Sequence, residues 1–225
     1  MIARPTATRT GPPSSPSDHP TDHPTHHEET LVPHTGSGSH PVARPAPTVR
    51  PVTPPPPALA VRSVRTDGGL PLVVGPIADH ELDALFTLFA TVVDRGEGYP
   101  HAPPLTPEVF AATWIAPVTL VVAARLDDVL TGAYYLKPNF PGRAAHIANA
   151  GYVVDGPRRG AGIGRALVED SLLRAPLLGF DAIQFNLVFA ANPARRLYEQ
   201  LGWRQIGRLP DAVDGQDAVI YWRPV

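Results

Sequence analysis

The apolar run Ala150 to Val154 leads, after a short spacer, into Arg159-Gly160-Ala161-Gly162-Ile163-Gly164, and Ala166-Leu167-Val168 then resumes the apolar pattern. A segment of this kind has few ways to fold: a strand, a tight turn and a helix start, in that order. Glycines lack a Cβ, so backbone N–H groups in the turn can approach a ligand closely. The helix that begins there aims its partial positive end at the same point, and Arg159 adds a full charge. A pyrophosphate is the ligand that suits such a turn.

Spacing separates the loops that bind phosphates. A P-loop requires G-x-x-x-x-G-K-[ST], and no Lys-Ser or Lys-Thr follows here. A dinucleotide fingerprint needs a third Gly or Ala three residues after the second Gly. Arg165 or Leu167 stands there, depending on the starting glycine. What remains is R-x-x-G-x-G, Arg159 to Gly164. On this loop the chain resembles the GNAT superfamily of acetyl-coenzyme A dependent N-acetyltransferases. The competing reading of the same residues is a glycine-rich helix start with no ligand.

A second segment separates these readings. Asn192-Pro193-Ala194-Arg195-Arg196-Leu197-Tyr198-Glu199-Gln200-Leu201-Gly202-Trp203 reads as a short helix. Asn192 is a good N-cap, Pro193 fits the first turn, and Gly202 can close the C-terminus in the left-handed region. Ala194, Leu197, Tyr198 and Leu201 share one face, which must meet the core. The run is similar to the second GNAT motif, in which the Asn contacts the pantetheine arm and an aromatic residue lies near the thioester sulfur. The resemblance implies a mixed α/β fold with a mostly antiparallel central sheet flanked by helices. It assigns Arg159, Gly160, Ala161, Gly162, Ile163, Gly164 and Arg165 to the pyrophosphate, and Asn192 to the pantetheine arm. It also implies a bulge in the preceding strand that frees backbone groups of Tyr152, Val153 and Val154 for acetyl-CoA.

Elements can be placed around these motifs. Val61 to Val74 reads as the first strand, clearest from Leu70 to Val74. Asp79 is read as the cap of a helix with apolar positions Leu82, Leu85, Phe86, Phe89 and Val93. Thr106-Pro107-Glu108 opens a helix to about Trp114. Val118 to Arg125 and Leu130 to Lys137 form a hairpin around Leu126 to Val129. Ile147 to Val154 is the strand ahead of the glycine turn. The following helix runs from about Gly162 to near Pro176, with a stripe of Ile163, Ala166, Leu167 and Leu173 broken by Asp170. Ala182 to Phe189, Trp203 to Leu209 and Asp217 to Trp222 complete the sheet.

Bulk properties bound the rest. With 225 residues, 43% hydrophobic side chains and a net charge of −2, the chain suits one globular domain plus an appendage. Residues 1–60 hold about half of the 29 prolines and most of the nine histidines. Ordering costs about 1–2 kcal/mol per residue, which such a stretch cannot offset by burial. The expectation is a disordered tail over 1–60 and an acetyltransferase domain over 61–225. His19, His23, His26, His27, His34 and His40 are read as composition bias in a solvated tail, and no metal site is expected. No stretch is long enough for a membrane span, so a cytoplasmic protein without membrane partners is expected. The absence of cysteine excludes disulfides, thiolate metal sites and a cysteine acyl-enzyme. Near-neutral charge argues against nucleic acid. Arg195 and Arg196, on the helix beside the cofactor, either sense its phosphates or are solvated. A homodimer is expected by family analogy alone.

Acetyl transfer needs a neutral amine, a polarised thioester carbonyl and a proton for the departing thiolate. An N–H of the strand before the turn can polarise the carbonyl. Tyr198, with a reference pKa of about 10, is the candidate acid. For the acceptor, Lys137 to Arg143, His146 to Tyr152 and Phe185 to Phe189 are similar to blocks of a GNAT subgroup that includes the fungal L-azetidine-2-carboxylate acetyltransferases. That resemblance implies a small amine acceptor, an amino or imino acid, with its carboxylate held by Asn149 and Asn186 and contacted by Tyr152. Asn149 is thereby placed in the catalytic set beside Tyr198. Tyr152 and Tyr198 depart from the pattern, standing where the subgroup carries Phe and Trp. Asn186 reads equally as a strand-end cap. His146 is either a base for the amine or a hydrogen-bonded strand-edge residue. Acetylation of an antibiotic or a protein N-terminus, and acyl-CoA binding without chemistry, are the alternative functions.

Overall fold

A computed structural model of the chain describes residues 61–116 and 118–225. The expectation for the tail lies outside the described residues.

Alternation of side chains along the strands sets the architecture. The elements are β1 (Arg62–Arg65), β2 (Pro71–Pro76), α1 (Leu82–Asp94), α2 (Pro107–Trp114), β3 (Leu120–Leu126), β4 (Val129–Pro138), β5 (Ile147–Val154), α3 (Ile163–Arg174), β6 (Ala182–Phe189), α4 (Ala194–Gln200), β7 (Arg204–Val213) and β8 (Gln216–Pro224). The strands form one eight-stranded sheet in the order β1-β2-β3-β4-β5-β6-β8-β7. Every neighbouring pair is antiparallel except β5 and β6. β4 is buried without a break from Thr131 to Leu136 because it is covered on both faces. Its Tyr134 and Leu136 join the apolar cluster under α3 and α4, while Ala133 and Tyr135 join the cluster under α1 and α2.

Three expectations are corrected. The stretch 61–74 is two strands rather than one, because Asp67-Gly68-Gly69 is a turn: Gly69 has φ +80° and its N–H donates to Thr66 O at 2.8 Å. Asp79 does not cap a helix. It starts a single 3-10 turn, and Glu81 takes the capping role, its carboxylate accepting from the Ala78 N–H at 2.8 Å and from Arg125. In α3, Leu173 is 52% exposed and Asp170 only 2%. The carboxylate of Asp170 accepts from Tyr134 Oη at 2.8 Å, Arg174 Nε at 2.6 Å and Arg62 Nη1 at 2.9 Å, so the polar residue in the stripe faces inward with partners waiting.

Other expectations hold closely. Thr106 Oγ1 accepts from the Val109 N–H at the start of α2. The turn between β3 and β4 is the pair Asp127-Asp128, both with positive φ, as a two-residue hairpin demands. β5 and β6 match their expected limits. Asn192 Oδ1 caps α4 by accepting from the Ala194 N–H at 2.9 Å, and Gly202 closes it at φ +87°.

The feature that creates a site is the pairing of β5 with β6. Only Ile147↔Ala182 and Ala148↔Ile183 are in register, after which the strands diverge. At the divergence Asn149 Nδ2 donates to Gln184 O at 3.0 Å, so a side chain replaces the next rung of the ladder. On its other edge β5 runs an unbroken ladder with β4 from Ala148 to Val154.

Candidate active site

The splay between β5 and β6 opens into a cleft of about 740 Å³. Its floor is β5 from Asn149 to Val154. One end is bounded by Arg159 and Gly164, one wall by β6 and α4, and the opposite wall by the loop that follows α1.

At the first end, Gly160 and Gly162 have φ of +83° and +84°, and Gly162 is the left-handed residue from which α3 departs. The first intrahelical bond runs from the Ala166 N–H to Gly162 O. The N–H groups of Ile163, Gly164 and Arg165 lie ahead of it, where a helix start leaves donors unpaired. The Ala161 N–H turns back to Arg158 O at 3.4 Å. Of the turn, Arg159 and Gly164 line the cleft. Ile163 is a core side chain, so only its backbone can serve a ligand. The Arg165 side chain leaves the cleft to pair with Asp67 at 3.1 Å and to donate to Gln200 Oε1 at 2.7 Å. Arg159 pairs with Glu97 at 2.5 Å.

The β5 edge differs from the expectation in its cause. The constant register with β4 leaves no bulge at Tyr152, Val153 or Val154; the free edge comes from the departure of β6. All three residues line the cleft. The Tyr152 hydroxyl points away from it into α3. Ser171 spends its hydrogen on Val168 O at 2.7 Å, so Tyr152 is the donor in the 2.8 Å contact between their hydroxyls. Of its side chain only the ring is available to a ligand.

Asn192 and Tyr198 line the wall formed by α4. Tyr198 stacks obliquely on Phe185 with centroids 4.7 Å apart. Burial raises its pKa well above the ordinary tyrosine value, so the phenol keeps its proton. Arg195 turns to Tyr221 and Gln205, and to Ala190 O at 2.9 Å.

At the far end stand Asn149 and Asn186. Asn149 Oδ1 accepts from Tyr135 Oη at 3.3 Å. Asn186 and Asn139 form a reciprocal amide pair, with contacts of 3.0 and 2.5 Å. His146 is not brought to this cleft: it is exposed, and its Nδ1 donates to Arg143 O at 3.0 Å. That position at the strand edge takes it out of the base role.

Sequence reading missed the wall contributed by the loop after α1, from Glu97 to His101. Tyr99 is half-buried there and its hydroxyl donates to Tyr152 O at 3.1 Å, on the open edge of β5. His101 Nε2 lies 3.1 Å from Thr113 Oγ1, whose own hydrogen goes to Val109 O at 2.7 Å. The histidine is therefore the donor, and burial together with Lys137 lowers its pKa, which favours the neutral ring. The available signal was Gly96 and Gly98, both at positive φ, which open the loop just ahead of Tyr99 and His101.

Gly151 makes room for this wall. A Cβ there would lie 2.6 Å from Tyr135 Cε1 and 2.7 Å from the Tyr99 hydroxyl. Gly151→Ala is expected to displace both rings, costing about 1–3 kcal/mol by chemical denaturation. It should also weaken ligand binding at the β5 edge, as read by titration. An unchanged unfolding midpoint would mean that the rings move freely.

Comparison with known proteins adds ancestry. The sequence model described as "Acetyltransferase (GNAT) family" matches residues 85–203. The N-acetyltransferase aca1 of Schizosaccharomyces pombe is 48% identical over 84 residues, 37% of this chain and 40% of that protein. The chain thus spans less than half the length of the curated relatives it matches. A GCN5-related N-acetyltransferase structure from Kribbella flavida superposes with a TM-score of 0.64 at 34% identity, covering 68% of this chain and 98% of the other. The structure of yncA from Salmonella typhimurium, described as a putative acetyltransferase with its cofactor acetyl-CoA, has a TM-score of 0.61 at 15% identity and covers 68% and 93% respectively. At that identity the likeness concerns the fold. Among the described residues no helix is long and apolar enough to cross a membrane.

Proposed function

The chain belongs to the GNAT family of acetyltransferases, and on that premise we propose that it transfers the acetyl group of acetyl-CoA directly to the amine of a small amino or imino acid. The observation that carries this reading is the cleft itself. One strand edge left open by the splay runs from an anion-ready helix start to a pair of asparagines.

The residues present suit coenzyme A. Backbone donors at the start of α3, with Arg159, would take the pyrophosphate. The open edge of β5 would accept the amide-bearing pantetheine arm much as it would accept another strand. A β5 N–H facing the splay would stabilise charge on the thioester oxygen while the C–N bond forms. Tyr198, held protonated by burial, would supply a proton to the thiolate as the C–S bond breaks, and the proton shed by the acylated nitrogen would pass through solvent and restore the phenol. Asn149 and Asn186 would orient the acceptor by its carboxylate.

The test is acceptor-dependent thiol release from acetyl-CoA, corrected for hydrolysis, against amino acids, imino acids and polyamines. Asn149→Ala and Asn186→Ala should lose activity selectively toward carboxylated acceptors. No thiol release above background across the panel would overturn the proposal. Within the same assay Tyr198→Phe is expected to lower kcat about 10- to 100-fold with little change in acetyl-CoA affinity. That is at or below the general-acid range of about 10²–10⁴, because a thiol of reference pKa about 8.5 leaves with little help. An undiminished kcat would remove Tyr198 from the mechanism.

A further inference from the structure

The cleft carries few fixed charges. At one end Glu97 and Arg159 pair with each other. Toward the other, Lys137 lies opposite Asn149 in the β4–β5 ladder and lines the cleft, half-buried. Its ammonium sits 4.9 Å over the Tyr135 ring, which is turned toward Gly151 on the cleft floor. Among the described residues it has no carboxylate partner, and Glu97 is the one acid that lines the cleft. The histidine on the facing wall is held as a donor to Thr113 and contributes no negative charge.

A half-buried cation with only a ring face for company is poorly compensated for lost hydration. An anion that enters restores the balance. The amides around it do not compete for that role. Asn149 is engaged by Gln184 and Tyr135, and Asn139 and Asn186 pair with each other through one N–H apiece, so the remaining amide N–H groups offer dipoles while Lys137 offers charge.

We infer that Lys137 is the residue that selects the acceptor by charge, pairing with a carboxylate carried beside the reacting amine and disfavouring cationic amines such as polyamines. This rests on the acetyl-transfer reading above and extends it with a residue and a direction of selectivity.

The experiment uses the full chain and matched acceptor pairs differing only in the carboxylate: L-alanine with L-alaninamide, and L-proline with L-prolinamide. Turnover is followed by thiol release and binding by calorimetry on protein saturated with coenzyme A. In the parent the carboxylates should be preferred. Lys137→Met should lose on the order of 30- to 100-fold in kcat/KM and in affinity for the carboxylates, while the amides change less than about threefold. Lys137→Arg should recover most of the loss, and acetyl-CoA affinity should be the same in all three proteins. Equal losses for acid and amide, or a preference untouched by the Met substitution, would overturn the inference. If the parent turns over no acceptor, acetyl transfer to these amines fails as a reading. Calorimetry then still decides the role of Lys137: carboxylate-selective binding lost in Lys137→Met upholds it, and absence of selective binding in the parent overturns it.

Discussion

Gly164→Glu is expected to fold like the parent and to lose on the order of 100-fold in acetyl-CoA affinity, about 2.7 kcal/mol. Gly164 lies in the first turn of α3, lines the cleft and has no positive φ. A Cβ there meets nothing nearer than Val154 Cγ2 at 3.8 Å. The substitution therefore adds a side chain and a negative charge where the pyrophosphate is proposed to lie, without straining the backbone. A unit charge 4 Å from another contributes about 4 kcal/mol at an effective dielectric of 20, and partial exposure trims that figure. Gly162 is the poorer test, although it is the more obvious one from the motif. It has φ +84°, and a Cβ would come within 2.8 Å of Thr66 Cβ in the β1–β2 hairpin, so any side chain there damages the fold before it meets a ligand. Calorimetric titration of Gly164→Glu beside Gly164→Ala makes the measurement, with thermal unfolding as the control. Undiminished affinity in the Glu variant would show that the diphosphate lies elsewhere.

Asp170→Ala should destabilise the domain by about 3–5 kcal/mol, the cost typical of removing one partner from a buried ion pair. The Asp170 carboxylate joins three elements: α3 through Arg174, β4 through Tyr134 and β1 through Arg62. With Arg174 1% exposed, the guanidinium loses this carboxylate where water cannot replace it. At roughly 2–4 °C per kcal/mol for a domain of this size, Tm should fall by about 6–20 °C. Asp170→Leu combined with Arg174→Met removes both charges and should recover much of the loss, since a buried pair is worth little against apolar residues of similar volume. Urea unfolding of the single and double variants checks both statements. A single-variant cost below about 1 kcal/mol would mean that the network is cosmetic.

The positions of strands and helices were legible where local rules act alone. The cap Thr106, the limits of β5 and β6 and the closing Gly202 follow from backbone conformations that those residues favour. The first hairpin was missed for the opposite reason. Val61 to Val74 carries β-branched residues on both sides of Asp67-Gly68-Gly69, and reading them as one strand overlooked a strong turn signal. Asp170 looked like a flaw in an apolar stripe because its partners Tyr134 and Arg62 lie 36 and 108 residues away.

The candidate site divides along the same line. Asn149, Tyr152, Arg159, Gly164, Asn186, Asn192 and Tyr198 were singled out from motifs, and the cleft gathers all of them. His146, three residues from Asn149, points to Arg143 instead. Tyr99 and His101 belong to no local pattern, and Lys137 opens one of the acceptor blocks without a role being readable for it there.

The amino-acid order alone determined which segments extend, turn or coil, and where the backbone must be glycine, because φ and ψ preferences and side-chain periodicity act over a few residues. Tertiary structure decided that β6 leaves β5 after two rungs, that the opening is a splay rather than a bulge, and that a loop some 50 residues upstream closes its side. Those outcomes are set by packing and charge pairing between segments far apart in the chain, and no local period encodes them.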